Sequence, residues 1–405
     1  MLAAFLAQLV SAENWAVIMA GSKTYKNYRH QADAFQMYQI LRSRGFKKDH
    51  IILMAYDDIV DCDENPYPGY VYNIKKYVSV YPGRKNIDYR GENVTAWNFY
   101  NVLTGKKVPG LPVLRSTEED NVFVYYNDHG FKGYLCAPAG GHHINGWEIK
   151  EVVDLMEQKG MFGKLFIAIE ACYSGSVSKL FKGRDNIAVL SAANSIQSSY
   201  SHGYDYEIET FRTNEWTNHL LHFILTHPES TIGGLVNYTR IHTYGSDTRY
   251  YGDKDMLETP LSEFLLEAEP MDINYENAEI ATPIKSRVDQ MKTEETFLKK
   301  RMETAKDSIT AAKYAKKLHD EIARHKKAKQ TILDIVHKLG GHNSKPSDDI
   351  KIKDWECYGR AVDKAIKQCK FEEAEYTKLG NFAEICNHNT KEEVAKVIDE
   401  MCPIH

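Results

Sequence analysis

Five short apolar runs constrain the fold of this chain more than any other feature: Trp15 to Ala20, Ile51 to Ala55, Val122 to Tyr126, Leu165 to Ile169 and Ile187 to Ala192. None shows the in-and-out alternation of a strand with one wet face. Such runs suit strands buried on both sides, hence a parallel sheet covered by helices. Between them, Ala32 to Leu41 and Trp147 to Met156 space their apolar residues three and four apart, as helices do. The pattern predicts an α/β/α sandwich with a mostly parallel sheet.

A sheet of this kind places its chemistry beyond the carboxyl ends of its strands. Three polar clusters fall there: Asn27 to Gln31, Asn127-Asp128-His129-Gly130 and Glu170-Ala171-Cys172. Cys172 leads into Tyr173-Ser174-Gly175-Ser176, a turn opening a helix, where main-chain N–H groups and the helix dipole would favour a thiolate. A random cysteine is usually a buried structural residue. His129, 43 residues upstream at another strand end, changes that reading, because nucleophile and base then share one rim of the sheet. Gly130 adds an unencumbered N–H, which with that of Cys172 would form an oxyanion hole.

These residues carry a resemblance. Tyr126-Asn127-Asp128-His129-Gly130 and Glu170-Ala171-Cys172-Tyr173-Ser174-Gly175 are similar to the His-Gly and Ala-Cys motifs of the caspase-related cysteine peptidases. Asn27-Tyr28-Arg29-His30-Gln31-Ala32-Asp33 and Tyr56-Asp57-Asp58-Ile59 resemble the legumains, or asparaginyl endopeptidases, within that clan. The resemblance runs from about Trp15 to Trp216. It implies a caspase-like sandwich and a protease that cuts after Asn. A carboxamide has two donors and an acceptor, so its pocket needs a cation and an anion in fixed places. Arg29 supplies forked donors and Glu170 an acceptor. By position in the family motif His30, Ser198 and Glu215 complete the pocket, Glu215 standing where the family usually has Asp, and Asn27 orients His129. Aspartate, neutral once protonated, is expected to enter the pocket only at acid pH.

Other motifs are set aside. Gly21-Ser22-Lys23-Thr24 has the wrong order and lacks the upstream glycine of a phosphate loop. His142-His143 has no third ligand at metal spacing, so neither a metal nor any other cofactor is expected. A formal charge of -5 gives no basic excess for nucleic acid, and no run of 18 apolar residues suggests a membrane span.

At 405 residues the chain exceeds one compact domain. Residues 1–12 end in small residues, like a signal peptide, and sequons at Asn93 and Asn237 fit glycosylation on a secretory route to an acidic lysosome- or vacuole-like compartment or the cell surface. Residues 13–267 form the catalytic unit and 268–293 a linker or activation peptide. The acidic, proline-punctuated stretch Leu257 to Pro283 is expected to be an exposed connection. Residues 294–405 are helical, and 294–339 carry 12 Lys and Arg against 7 Asp and Glu, which leaves the acidic excess on the rest of the chain.

Seven cysteines cannot all pair internally, and four, Cys357, Cys369, Cys386 and Cys402, lie in the last 49 residues. They resemble the pattern of the death-domain-like all-α prodomain that covers the active site of legumain zymogens, which implies bonds Cys357 to Cys386 and Cys369 to Cys402. Cys62 and Cys136 are left without a role. The expected partners are peptide substrates, this chain's own prodomain as inhibitor and cystatin-type inhibitors. Enzyme carboxylates facing Lys and Arg of the cover would lose attraction at acid pH, with self-cleavage after Asn274 or Asn277. Alternatives are a peptide ligase or transamidase using the same acyl-enzyme, or a silent binding protein.

Overall fold

The computed structural model describes residues 12–269, 287–342 and 350–403. Residues 1–11, most of the expected signal peptide, and the expected cleavage sites Asn274 and Asn277 lie outside the described residues.

The apolar runs become strands β1 (Asn14–Ala20), β2 (Ile51–Met54), β3 (Asn121–Asn127), β7 (Lys164–Glu170) and β8 (Ile187–Ser191), with the small strands β4 (Gly130–Phe131), β5 (Tyr134–Leu135) and β6 (Ile144–Asn145) between. Strands β9 (Tyr200–Asp205), β10 (Thr210–Asn214), β11 (Arg249–Gly252) and β12 (Val288–Asp289) follow. The main sheet runs β11-β8-β7-β3-β1-β2, parallel except for the edge strand β11. Its in-register pairs β1–β3 and β3–β7 bring Ala20, Asn127 and Glu170 to one carboxyl edge.

One face of the sheet packs on helices Tyr28–Ser43, Glu215–Thr226 and Ile232–His242, through Phe35, Leu41, Leu220 and Leu235. The other face packs on Ala96–Leu103 and Gly146–Gln158, through Phe99, Val102, Ile149 and Val153. With both faces covered, alternation has no reason to exist. Leu261, Phe264 and Leu265 are fully buried against the first face, so the expected exposed connection does not begin at Leu257. Its prolines hid a short helix, Ser262–Leu265, whose apolar residues serve the core.

The helical unit contains Thr293–Glu303, the 31-residue Ser308–Lys338, Trp355–Cys369 and Lys391–Met401. Asp307, Asp354 and Thr390 cap three of these with side-chain acceptors. Disulfides join Cys357 to Cys386 and Cys369 to Cys402, while Cys62, Cys136 and Cys172 are free. The unit is packed, not merely tethered, against the rest: Phe131 and Tyr134 of the small strands and the adjoining Cys136 belong to its apolar core with Ile332, Tyr358 and Phe382. Among the described residues, no helix is long and apolar enough to cross a membrane. Asn93 and Asn237 are exposed.

Candidate active site under a helical cover

Cys172 and His129 sit just past adjacent parallel strands, β7 and β3, where Asp128 N–H donates to Glu170 O at 3.0 Å. A side chain on Gly130 would come within 2.5 Å of Cys172 O, so the two main chains approach as only glycine permits. His129 Nε2 meets Asn27 Oδ1 at 2.9 Å, while its buried Nδ1 has no hydrogen-bond partner. Asn27 sits at the cap position of helix Tyr28–Ser43 yet makes no capping bond, its carboxamide being turned to His129 instead. A cap worth about 1 kcal/mol is forgone for that contact.

Cys172 is fully buried, and Ser199 N–H donates to its Sγ at 3.3 Å. The expected thiolate is not what this buried environment favours. Burial, with Asp289 nearby, pushes the thiol up to about 12, and the helix that follows is only four residues, Gly175–Ser178. Burial likewise holds His129 down to about 3.

Beside the pair lies a pocket, and the chain fills it. Strand β12 adds antiparallel to β9, Gln290 N–H donates to Ser199 O at 3.1 Å, and the Gln290 side chain points inward. Its Oε1 accepts from Arg29 Nη2 at 3.2 Å and lies 3.1 Å from His30 Nε2. Its Nε2 donates to Ser199 Oγ at 2.6 Å and to Glu170 Oε1 at 3.2 Å. Cation and carboxyl thus take opposite ends of one carboxamide. Burial raises Glu170 to about 8 and lowers Arg29 to about 10.

Two expected pocket residues stand elsewhere. Ser198 is part-exposed, and the serine facing Gln290 and Cys172 is Ser199. Glu215 accepts from Tyr244 N at 3.1 Å and Gly245 N at 2.9 Å, and it is Asn214 Oδ1 that accepts from Arg29 Nε at 3.0 Å. Strand β10 ends at Asn214 and a helix begins at Glu215, so consecutive side chains diverge. Sequence reasoning also missed Gln290, inside the expected linker, and Glu373.

Glu373, from the helical unit, reaches Asn27 and His129. Its Oε2 accepts from Asn27 Nδ2 at 2.9 Å and lies 3.5 Å from His129 Nε2. Lys26 Nζ bonds Glu294 at 2.6 Å and lies 3.9 Å from Glu372. Polarity at the site is therefore the reverse of that expected: cations of the enzyme meet carboxylates of the cover. The expected polarity appears farther out, at Arg301–Glu209, 3.3 Å. His142, set aside as a ligand, bridges Glu148 at 2.8 Å and Asp363 of the cover at 2.9 Å. Partial burial pulls His142 down, but the two carboxylates outweigh it and raise it to about 10.

Among the described residues, His30, Asp128 and His129 form a buried group whose ligand atoms lie within 4.8 Å of one another. Ser22, from the rejected phosphate-loop motif, puts its Oγ 2.7 Å from His30 Nδ1, and Gly21 packs against Asp128 and Cys136 with no room for a phosphate.

Residues 14–322 match the model of the peptidase C13 family. The chain is 32% identical to a legumain of Bos taurus over 338 residues, 81% of this chain and 75% of that protein. It is 43% identical to the vacuolar-processing enzyme delta-isozyme of Arabidopsis thaliana over 191 residues, 46% of this chain and 41% of the relative. Caspase-1 from Spodoptera frugiperda superposes on 60% of this chain and 87% of its own, with a TM-score of 0.34 at 10% identity.

Proposed function

We propose that this chain, which belongs to the peptidase C13 family of legumain-type cysteine endopeptidases, is the closed zymogen of a protease that cleaves after asparagine. The observation that carries the proposal is Gln290, a primary carboxamide held at both ends by Arg29, His30, Ser199 and Glu170 beside Cys172. An asparagine side chain offers the same group one methylene shorter. Arg29 and His30 at one end and Ser199 and Glu170 at the other leave an apolar or cationic residue with unpaired groups, which is how such a site discriminates.

In the reaction, His129 takes the proton of Cys172 through its unpartnered Nδ1, with Asn27 fixing the ring through Nε2. Cys172 Sγ attacks the carbonyl carbon after Asn, and the amides of Gly130 and Cys172 receive the oxyanion. His129 returns the proton to the leaving amine, and water then hydrolyses the acyl-enzyme. Aspartate is accepted toward its own pKa, where it is a neutral carboxamide-like acid.

The helical unit is the inhibitor. It sets Glu373 on the His129–Asn27 pair, while the strand leading into it places Gln290 on Ser199, the neighbour of Cys172. Acid opens it by neutralising Glu294, whose carboxyl burial raises, so that its pair with Lys26 is lost, and self-cleavage follows in the connecting segment, at Asn274 or Asn277. An acidic compartment, lysosomal or vacuolar, is where this serves. The test compares wild type with Cys172→Ala after incubation at about pH 4.5. New termini and turnover of Asn peptides are expected for wild type alone, and an uncut chain with full activity would sink the zymogen reading.

A further inference from the structure

The segment that ends in Gln290 touches the cleft at a second built position. Val288 and Asp289 pair antiparallel with Ser201 and Tyr200, and Ser201 Oγ donates to Val288 O at 3.0 Å. Residues 287–290 therefore lie along β9 as an added strand, the mode by which extended peptides bind a sheet edge. Three residues before Gln290, the Arg287 guanidinium lies over the Tyr200 ring, 5.8 Å from its centroid, and Nη1 is 3.6 Å from Glu215 Oε1.

We propose that Glu215 and Tyr200 form a second specificity subsite, which takes an Arg or Lys side chain three residues before the asparagine at which a substrate is cut. The proposal rests on the reading of Gln290 as a stand-in for that asparagine.

Glu215 is set for this before any cation arrives. Its side chain is only 5% exposed, and the amides of Tyr244 and Gly245 hold one oxygen each. A carboxylate has about four acceptor positions, so two amides leave it able to receive a guanidinium or ammonium. Loop closure over the acid depends on Gly245: a Cβ there would lie 2.4 Å from Tyr200 Cδ2 and 2.6 Å from Glu215 Oε2. The acid and the ring are thus packed against the same main-chain atoms, one supplying charge and the other a π face. Arg287, tethered at both ends, stops short: its buried Nη1 makes no hydrogen bond. A free peptide is not tethered there and can close that gap. Asn214 and Glu215, adjacent in sequence, then serve two subsites, the first through Arg29 and the second directly.

The experiment uses the full chain after acid incubation and peptides that differ only at the fourth residue counted back from the cut, with Asn at the first. Arg is expected to be cleaved with a kcat/KM about tenfold that of Ala, and Glu below Ala, the difference shrinking in 0.5 M salt. In Glu215→Gln the Arg-to-Ala ratio falls to within about twofold. Tyr200→Leu, a second variant in case the first fails to fold, is expected to cut the ratio about threefold. Equal rates for Arg and Ala in wild type overturn the subsite alone. A chain that cleaves no Asn peptide overturns the reading of Gln290, and the subsite with it.

Discussion

Asp33 receives both the side-chain and the main-chain N–H of Asn214, at 3.0 and 3.2 Å, and so turns the Asn214 oxygen toward Arg29. Without that constraint a carboxamide could present either end to the guanidinium. Asn73 and Asn127 also donate to Asp33, at 2.7 and 2.8 Å, so the buried carboxylate is a hub that orders the wall of the pocket. Asn214→Leu keeps approximate volume but removes the acceptor on Arg29 Nε and two donors to neighbours. It is expected to lose about 2 kcal/mol in urea unfolding and to raise KM for Asn peptides about tenfold, with a smaller change in kcat.

Gln290 makes the hydrogen bonds proposed for a substrate asparagine while remaining part of the chain. Gln290→Asn is expected to convert the bound strand into a substrate, releasing a fragment that begins at Met291, detected by mass spectrometry. Gln290→Ala gives no such cut but leaves Glu170 and Ser199 without their shared donor, so its cover opens at a higher pH than wild type. A Gln290→Asn chain that stays intact while still cleaving added peptides would sink the assignment of this position.

Much of this was legible from residue order. Runs buried on both faces leave an unmistakable mark, and the ends of two such runs place His129 and Cys172 on one rim. Edge strand β11 was not legible, because three of its four residues, Arg249, Tyr250 and Tyr251, are exposed or half-buried and read as surface. Glu215 was expected beside Arg29, where Asn214 stands, because a strand-to-helix junction sends consecutive side chains in different directions, which spacing along the chain does not encode. Gln290 and Glu373 left no signal, since each acquires its meaning only when distant segments meet: Gln290 lies 261 residues from Arg29 and Glu373 lies 346 from Asn27.

Two buried groups give the folded chain opposite pH slopes. His129 is held down to about 3 by burial, so its contribution is present above its unfolded pKa of about 6.5 and lost as pH falls toward 3. Asp128, Glu373, Arg29, Lys26 and His30 all face it, and the two cations add to the downward shift by burial. Glu170 is raised to about 8, so its contribution is full below about 4.5 and lost as pH rises through 8. Between about pH 4.5 and 6.5 the two slopes oppose each other. Relative to wild type, Glu170→Gln is expected to gain stability progressively from pH 5 to 8, and His129→Gln to gain it from pH 6.5 down to 4. Urea midpoints at half-unit pH steps measure both differences, and a pH-independent difference for either variant would remove that group from the account.

The disulfides Cys357–Cys386 and Cys369–Cys402 close loops of 29 and 33 residues within the helical unit, and among the described residues no disulfide ties that unit to the sheet. Each is worth about 3.5 kcal/mol by loop closure. Because Ile332, Tyr358 and Phe382 share an apolar core with Phe131, Tyr134 and Cys136, loosening the helices also loosens the surface that covers the site. Paired replacement of Cys369 and Cys402 by serine is therefore expected to leave the sheet unit folded while the cover releases at a pH nearer neutral, so that Asn-peptide turnover appears without acid treatment. Near-ultraviolet circular dichroism follows the fold and peptide turnover at pH 7 follows release. A variant that retains wild-type latency at neutral pH would show that contacts at the site, Glu373 to Asn27 and Lys26 to Glu294, hold the cover independently of its own stability.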